Sequence, residues 1–242
     1  MRWGIFSDIH SNLEALEATI KAYKFYMIDK YLCLGDIVGY AASPLECIKI
    51  VKDISHVVIA GNHDWAAVDL FPTKYFNEWA KTAVEWTKDK LDLDARDLLS
   101  SLGIIYEDDD LIAVHGTLDS PEKFNYLFSV NQSDDTFWLM KKPVCFIGHT
   151  HLSGIFIQDP GGKSSYCIDK KIKLKQGYRY IVNVGSIGQP RDGNNQAGFC
   201  VYDTNKQEVE LIRASYDIQS AQRKIITACL PSFLSDRLST GG

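Results

Sequence analysis

No stretch of the 242-residue chain approaches the roughly eighteen consecutive apolar residues that a membrane-spanning helix needs, so no membrane span is expected. Nor is there an excess of basic charge. Lysine and arginine total 26 against 31 aspartates and glutamates, a balance of 26 − 31 = −5. Nucleic-acid-binding surfaces are usually basic, so a polynucleotide partner is not expected. A small phosphorylated substrate stays compatible, because bound cations reverse the sign locally. The six cysteines, at 33, 47, 145, 167, 200 and 229, form no Cys-x-x-Cys pair. Cys33 and Cys145 lie inside apolar runs, Tyr31–Leu34 and Val144–Ile147, which predicts buried free thiols in a reducing compartment. A cleavable leader of about twenty residues would remove Asp8 and His10, so a cytoplasmic location is the expectation. No serine or cysteine stands in a nucleophile motif. No repeat, low-complexity segment or linker interrupts the sequence, so residues 1–242 are taken as one domain, long enough for a sizeable core.

What is present is a series of short apolar runs, each ending in a polar cluster. Arg2–Ser7 reads as a strand. Ser11 and Glu14 then form a capping box for a helix whose apolar face is Leu13, Leu16, Ile20 and Tyr23. A strand at Tyr31–Leu34 follows, then a helix opened by Ser43-Pro44-Leu45-Glu46 and a strand at Val57–Ala60. This βαβαβ order with apolar strands predicts an α/β sheet buried on both faces. Residues 65–103 are rich in aromatics and helical in spacing, with Asp94 as a cap; the segment either covers the core or walls a site. The second half turns to strands at Ile104–Tyr106, Leu111–Val114, Val144–Ile147, Gly154–Gln158, Tyr180–Val184, Gly198–Asp203 and Glu208–Arg213. Glu107–Asp110 and Asp159–Gly162 read as turns. Asp217 caps a last helix, and 230–242 reads as a tail whose apolar residues leave self-association open. Two sheets, one from each half, would pack face to face with helices outside.

The clusters are Asp8-Ile-His10, Gly35-Asp36, Gly61-Asn62-His63-Asp64, His115-Gly116 and Gly148-His149-Thr-His151. Five of the six histidines fall in them. Sites in open α/β sheets gather beyond the carboxyl ends of strands. On an extended segment, Asp8 and His10 would point to one face. Asp8, His10, Asp36, Asn62, His115, His149 and His151 are seven metal-ligand side chains, too many for one ion that must also admit substrate. Two ions roughly 3.5–4 Å apart could share them through one carboxylate. Oxygen and nitrogen donors without thiolate suit Mn, Fe, Zn, Co or Ni better than Ca or Mg.

As an ordered set, Asp-x-His, Gly-Asp, Gly-Asn-His-Asp, His-Gly and Gly-His-Thr-His, spread over residues 8–151, resemble the calcineurin-like metallophosphoesterase superfamily. Asn183–Arg191 (Asn-Val-Gly-Ser-Ile-Gly-Gln-Pro-Arg) resembles its small phosphodiesterases of the YfcE type. The resemblance implies a four-layer α/β/β/α sandwich of two mixed sheets. It implies one metal held by Asp8, His10, Asp36 and His151 and a second by Asp36, Asn62, His115 and His149, with Asp36 bridging. It gives His63 the general-acid role.

Bound cations bring the pKa of water from about 16 to about 7. The expected reaction is therefore in-line attack of a metal-bridging hydroxide on a small phosphodiester, with nucleotides among the candidates. Asp64 is expected either to hold the His63 ring or to face solvent. Arg191 is expected to contact a phosphate or to be a surface arginine, Asn183 to support the ligands, and Thr150 to be structural. Competing readings are a phosphomonoesterase, a protein phosphatase or a dinucleoside polyphosphate hydrolase of the same fold, a non-catalytic metal-binding scaffold, and a di-iron oxidase. The last usually places its ligands on helix bundles rather than strand ends.

Overall fold

Strand β1 (Arg2–Phe6) is buried from Trp3 onward, so it needs a strand on each side and a layer on each face. It pairs in parallel with β2 (Lys30–Cys33) and antiparallel with β11 (Ala197–Asp203). The chain of the computed structural model, Met1–Gly242, builds two six-stranded sheets. The first also contains β3 (Val57–Val58), β12 (Glu208–Ala214) and β9 (Lys171–Lys173), in the order β3-β2-β1-β11-β12-β9. The second is made of β4 (Ile105–Glu107), β5 (Ile112–Val114), β6 (Val144–Ile147), β10 (Arg179–Asn183), β7 (Gly154–Gln158) and β8 (Ser164–Cys167), hydrogen-bonded in that order.

Alternation along the strands sorts side chains between layers. Trp3 and Ile5 join Phe146, Val182, Cys200 and Tyr202 in the core between the sheets. Phe6 and Phe199 face the other way, onto α1 (Leu13–Tyr23), α2 (Pro44–Ile54) and α5 (Leu93–Ser101). Phe137 of α6 (Ser133–Leu139) covers Ile112, Cys145 and Ile181 on the far side of the second sheet. Helix, sheet, sheet and helix thus make the four layers expected.

The sheets are not divided by halves of the chain. All seven residues of β11 are buried, so it cannot lie on an edge, and it enters the N-terminal sheet between β1 and β12. Helix starts also differ. Asn12, not Ser11, caps α1, its Oδ1 accepting the Ala15 N–H at 3.2 Å, while Ser11 sits at φ 58° in the preceding turn. Asp92 rather than Asp94 caps α5. Pro44 opens α2 as expected, yet the Ser43 side chain makes no capping bond.

The two expected turns form. Asp108 Oδ1 accepts the N–H groups of Asp110 and Leu111 between β4 and β5, and the Asp159 carbonyl accepts the Gly162 N–H between β7 and β8. Short and mostly exposed, β8 and β9 give too little apolar periodicity to be read from sequence.

Residues 230–242 are not a tail. They contain α8 (Ser232–Thr240), whose Leu234 and Leu238 pack with Ala221 and Ile225 of α7 (Ile218–Thr227) and with Ala80 and Ala83 of α4 (Glu78–Lys88). Leu234→Ala should therefore destabilise the protein by about 2–5 kcal/mol in urea unfolding. Lys170→Ala, at an exposed position, should change stability by less than about 0.5 kcal/mol. Equal, small effects would mean that α8 is not docked.

Candidate metal centre

The strands stop and the backbone turns sharply at each cluster. Asp8, His10, Asp36, His149 and His151 have φ between 50° and 66°, the left-handed region that non-glycine residues seldom enter. Each such residue costs about 1–3 kcal/mol and persists only where its surroundings hold it. Here the loops hold one another. Asp8 N–H donates to Gly35 O, His10 N–H to Asp36 O, and Gly148 N–H to His115 O, each at 3.0 Å, while Gly188 N–H donates to Asp8 O at 2.8 Å. The period-two argument for Asp8 and His10 therefore fails, since the strand ends at Phe6 and left-handed turns bring the two together. Gly61 is required for packing, because a Cβ there would lie 2.1 Å from Asp36 Oδ1.

All seven predicted ligand side chains meet in one place, and none is more than 5% exposed. His151 Nε2 lies 3.2 Å from Asp8 Oδ1 and 3.1 Å from His10 Nε2. His10 Nε2 lies 3.6 Å and His115 Nε2 3.4 Å from Asp36 Oδ2. Three overlapping groups each place their donor atoms within 4.8 Å of one another: Asp8-His10-His151, His10-Asp36-His63 and Asp36-His115-His149. Asp36 belongs to two of them.

The ring nitrogens away from the cluster fix its chemistry. Nδ1 of His10, His115 and His151 faces the carbonyls of Val38, Leu34 and Gln189 at 3.0, 2.8 and 2.5 Å. A carbonyl only accepts, so each Nδ1 carries hydrogen and each ring turns its Nε2 inward. Asp8 Oδ1, Asn62 Oδ1, His115 Nε2 and His149 Nε2 are buried with no hydrogen-bond partner. A buried acceptor left unpaired costs about 1–3 kcal/mol, and more if charged. With His10, Asp36 and His151 close by, this donor set of carboxylate, imidazole and amide oxygen fits divalent cations.

Electrostatics agree. Burial alone would raise the Asp8 and Asp36 carboxyls, but the facing histidines, His151 for Asp8 and His115 for both, hold them well below the usual range. Burial pushes His149 down to about 3, helped by His115, and His151 to about 4, helped by Arg191. His115 behaves oppositely. Burial disfavours its charge, but Asp36 and Asp8 outweigh that and raise it to about 9. A cation taking its lone pair must displace that proton.

His63 follows Asn62 at the start of α3 (Asn62–Ala67), with its N–H donating to Asp36 Oδ1 at 2.8 Å. Its ring packs against His10, Tyr40 and Phe76, and burial lowers its pKa well below the usual value. Its Nδ1 is buried without a partner beside Gly39, which has φ +95° and where a Cβ would come within 2.5 Å of that atom.

Asp64 neither holds His63 nor faces solvent. Fully buried, it accepts the N–H groups of Ile37 and Val38 on Oδ1 and of Gly61 on Oδ2, tying the Asp36 loop to the start of α3. Burial, with Asp36 nearby, raises its carboxyl to about 7.

Arg191 is half-buried rather than a surface arginine. Its Nη2 donates to Gln189 Oε1 at 2.9 Å and Tyr40 Oη at 3.3 Å, while Nε has no partner. Asn183 Nδ2 donates to Gly148 O and Thr150 Oγ1, and its Oδ1 accepts the Gly185 N–H, so Asn183 and Thr150 brace the loop carrying His149 and His151.

Three residues near the cluster were not foreseen. Tyr126 stacks on His149 with ring centroids 3.9 Å apart, and Phe124 meets His115 edge-on. Arg237 reaches back from α8, where burial and the neighbouring Arg191 lower its guanidinium to about 10. Nothing in the sequence signals them, since each stands in a segment without a ligand motif.

A family model described as the calcineurin-like phosphoesterase superfamily domain matches residues 1–207. An uncharacterised protein of Methanocaldococcus jannaschii, MJ0912, is 37% identical over 241 residues, 98% of this chain and 97% of that protein. The crystal structure of a metallophosphoesterase from Sphaerobacter thermophilus superposes with a TM-score of 0.89 at 34% identity, covering 100% of this chain and 99% of that one. A hypothetical protein from Pyrococcus horikoshii, PH1004, shares the fold at a TM-score of 0.78 and 22% identity, with 100% and 98% coverage. Together with the donor cluster, these likenesses make the chain a member of the calcineurin-like phosphoesterase superfamily.

Proposed function

We propose that the protein hydrolyses a small phosphodiester with the help of two divalent transition-metal cations. One cation would be held by Asp8, His10, Asp36 and His151, the other by Asp36, Asn62, His115 and His149, with Asp36 shared. The observation that carries this reading is the gathering of donor atoms of Asp8, His10, His115, His149 and His151 in overlapping groups with Asp36, with Asn62 Oδ1 also buried and without a partner. Bound there, the cations would make water acidic enough to ionise near neutral pH and offset charge on the phosphoryl oxygens.

The chain's own groups divide the remaining work. Asp8 Oδ2 accepts the His149 N–H at 2.9 Å, which leaves Oδ1 turned to the cluster. Asp36 Oδ1 is likewise occupied by the His63 N–H, and Oδ2 faces His10 and His115. Both carboxylates are thereby oriented before substrate arrives. His63 stands at the edge of the cluster and supplies the proton that the leaving oxygen needs. Arg191, anchored by Gln189 and Tyr40, carries guanidinium N–H groups for a phosphoryl oxygen. Asp64 acts only through the backbone of the Asp36 loop.

Turnover of bis-p-nitrophenyl phosphate with added Mn²⁺ should disappear on chelation and return with metal. Full activity in metal-stripped protein would refute the reading. Asp36→Asn should lower the content of both cations in elemental analysis after dialysis, whereas normal two-cation content with normal activity would remove the shared-ligand assignment. His63→Ala should retain both cations and lose about 10²–10⁴-fold in kcat, least for esters with a good leaving group. Because His63 also lies within 4.8 Å of the His10 and Asp36 donor atoms, loss of a cation in that variant would make it a ligand instead.

A further inference from the structure

A cavity of about 950 Å³ opens from the cluster, with Asn62, His63 and His149 along the shared border. This lies within the ~300–1,000 Å³ range of small-molecule sites. Away from that border the walls are aromatic. Trp65 comes from α3, Phe71, Tyr75 and Phe76 from the segment after it, and Phe124 and Tyr126 from the loop after β5.

The two walls brace each other and the cluster. Phe71 meets Phe124 edge-on at 5.2 Å and Trp65 meets Phe124 at 5.5 Å. Phe76 lies 4.7 Å from the His63 ring. The cavity is therefore held in shape by contacts with the same histidines that form the cluster. Phe124 is itself left-handed at φ 51°, a conformation that a bulky residue keeps only when its surroundings impose it.

Seven of the seventeen lining residues carry phenyl, phenol or indole rings, whereas aliphatic lining is limited to Leu70, Pro72 and Ala80. The margin is polar, with Asn77, Glu122, Lys123 and Asn125. Aromatic walls with a hydrogen-bonding rim suit a flat ring with polar edges. They suit an acyl chain less well, since its carbons would gain nothing from Glu122 and Lys123.

We propose that this cavity takes a planar heteroaromatic group, a nucleobase or similar ring, carried by the phosphoester whose phosphate reaches the cluster. The inference rests on the phosphoesterase reading for the ester, but its test does not require turnover. Ring stacking on aromatic side chains contributes enough for about a tenfold or greater gain in affinity per base.

The test is calorimetric binding of AMP, ribose 5-phosphate and octyl phosphate to the full-length protein with its cations. AMP should bind at least about tenfold more tightly than ribose 5-phosphate. Phe71→Ala and Tyr75→Ala, both outside the cluster, should each narrow that ratio while leaving ribose 5-phosphate affinity unchanged. Phe71→Tyr should preserve the ratio. Tyr75 is 68% exposed, so its variant keeps the test available if Phe71→Ala fails to fold.

Equal binding of AMP and ribose 5-phosphate, no AMP binding, a parallel loss of both affinities in the variants, or tighter binding of octyl phosphate than of AMP would each overturn the proposal. A protein that hydrolyses no phosphoester but keeps the AMP preference would refute the proposed function and leave this inference standing. Hydrolysis without that preference would do the reverse.

Discussion

Four buried side-chain atoms without a protein partner, Asp8 Oδ1, Asn62 Oδ1, His115 Nε2 and His149 Nε2, are the constraint on which this architecture depends. Such a set is unfavourable by itself, since a buried polar atom without a partner costs free energy and the Asp8 and Asp36 carboxylates repel each other. The repulsion is partly relieved by the proton that His115 retains between Asp8 and Asp36. The cluster is thus assembled by the rest of the fold at some expense in stability, and a cation bound there would recover part of it.

Holding it together takes contacts from the whole length of the chain. The loop after β1 is closed by residues almost at the other end of the sequence: Ile187 N–H and Gly188 N–H donate to Ser7 and Asp8 carbonyls, and Ser186 Oγ donates to Asp8 O. β11 follows directly and inserts beside β1 in the same sheet. The topology that leaves no clean division into halves is therefore also what locks Asp8 into its left-handed turn. On the other flank, Asp64 accepts three backbone N–H groups from two loops, which ties the Asp36 loop to the His63-bearing helix. Burial and Asp36 both raise the Asp64 carboxyl, and the N–H bonds from Gly61 and Val38, with the His115 charge, oppose them.

The candidate ligands are legible in sequence because each cluster follows a short apolar run, and strand ends are where such sheets place polar chemistry. Their convergence could be anticipated, but not the means. Asp8 and His10 looked like alternating strand residues, while in fact the chain leaves the strand at Phe6. The helix caps were missed by one or two positions, since Ser11 and Asn12, or Asp92 and Asp94, are equally good capping residues, and only the turn geometry selects between them. The 230–242 segment was misread for a different reason. Its apolar positions, Leu230, Leu234 and Leu238, do have helical spacing, but the helix is short and its partners Ala80, Ala83, Ala221 and Ile225 are small or distant in sequence. Packing gives α8 its place, and packing between remote segments leaves no local trace.

That late helix also bears on the electrostatics of the site. The chain is acidic overall, and without cations the carboxylates would repel a phosphoester. Arg191 is held at the rim by Gln189 and Tyr40, and its charge is felt at His63, His151 and Tyr126. Arg237 adds a second positive charge from α8, close enough to Arg191 that each disfavours the other, yet with its guanidinium at about 10 it stays protonated at neutral pH. Two arginines are thus kept near each other against their repulsion, in a site whose buried carboxylates are held ionised by the facing histidines.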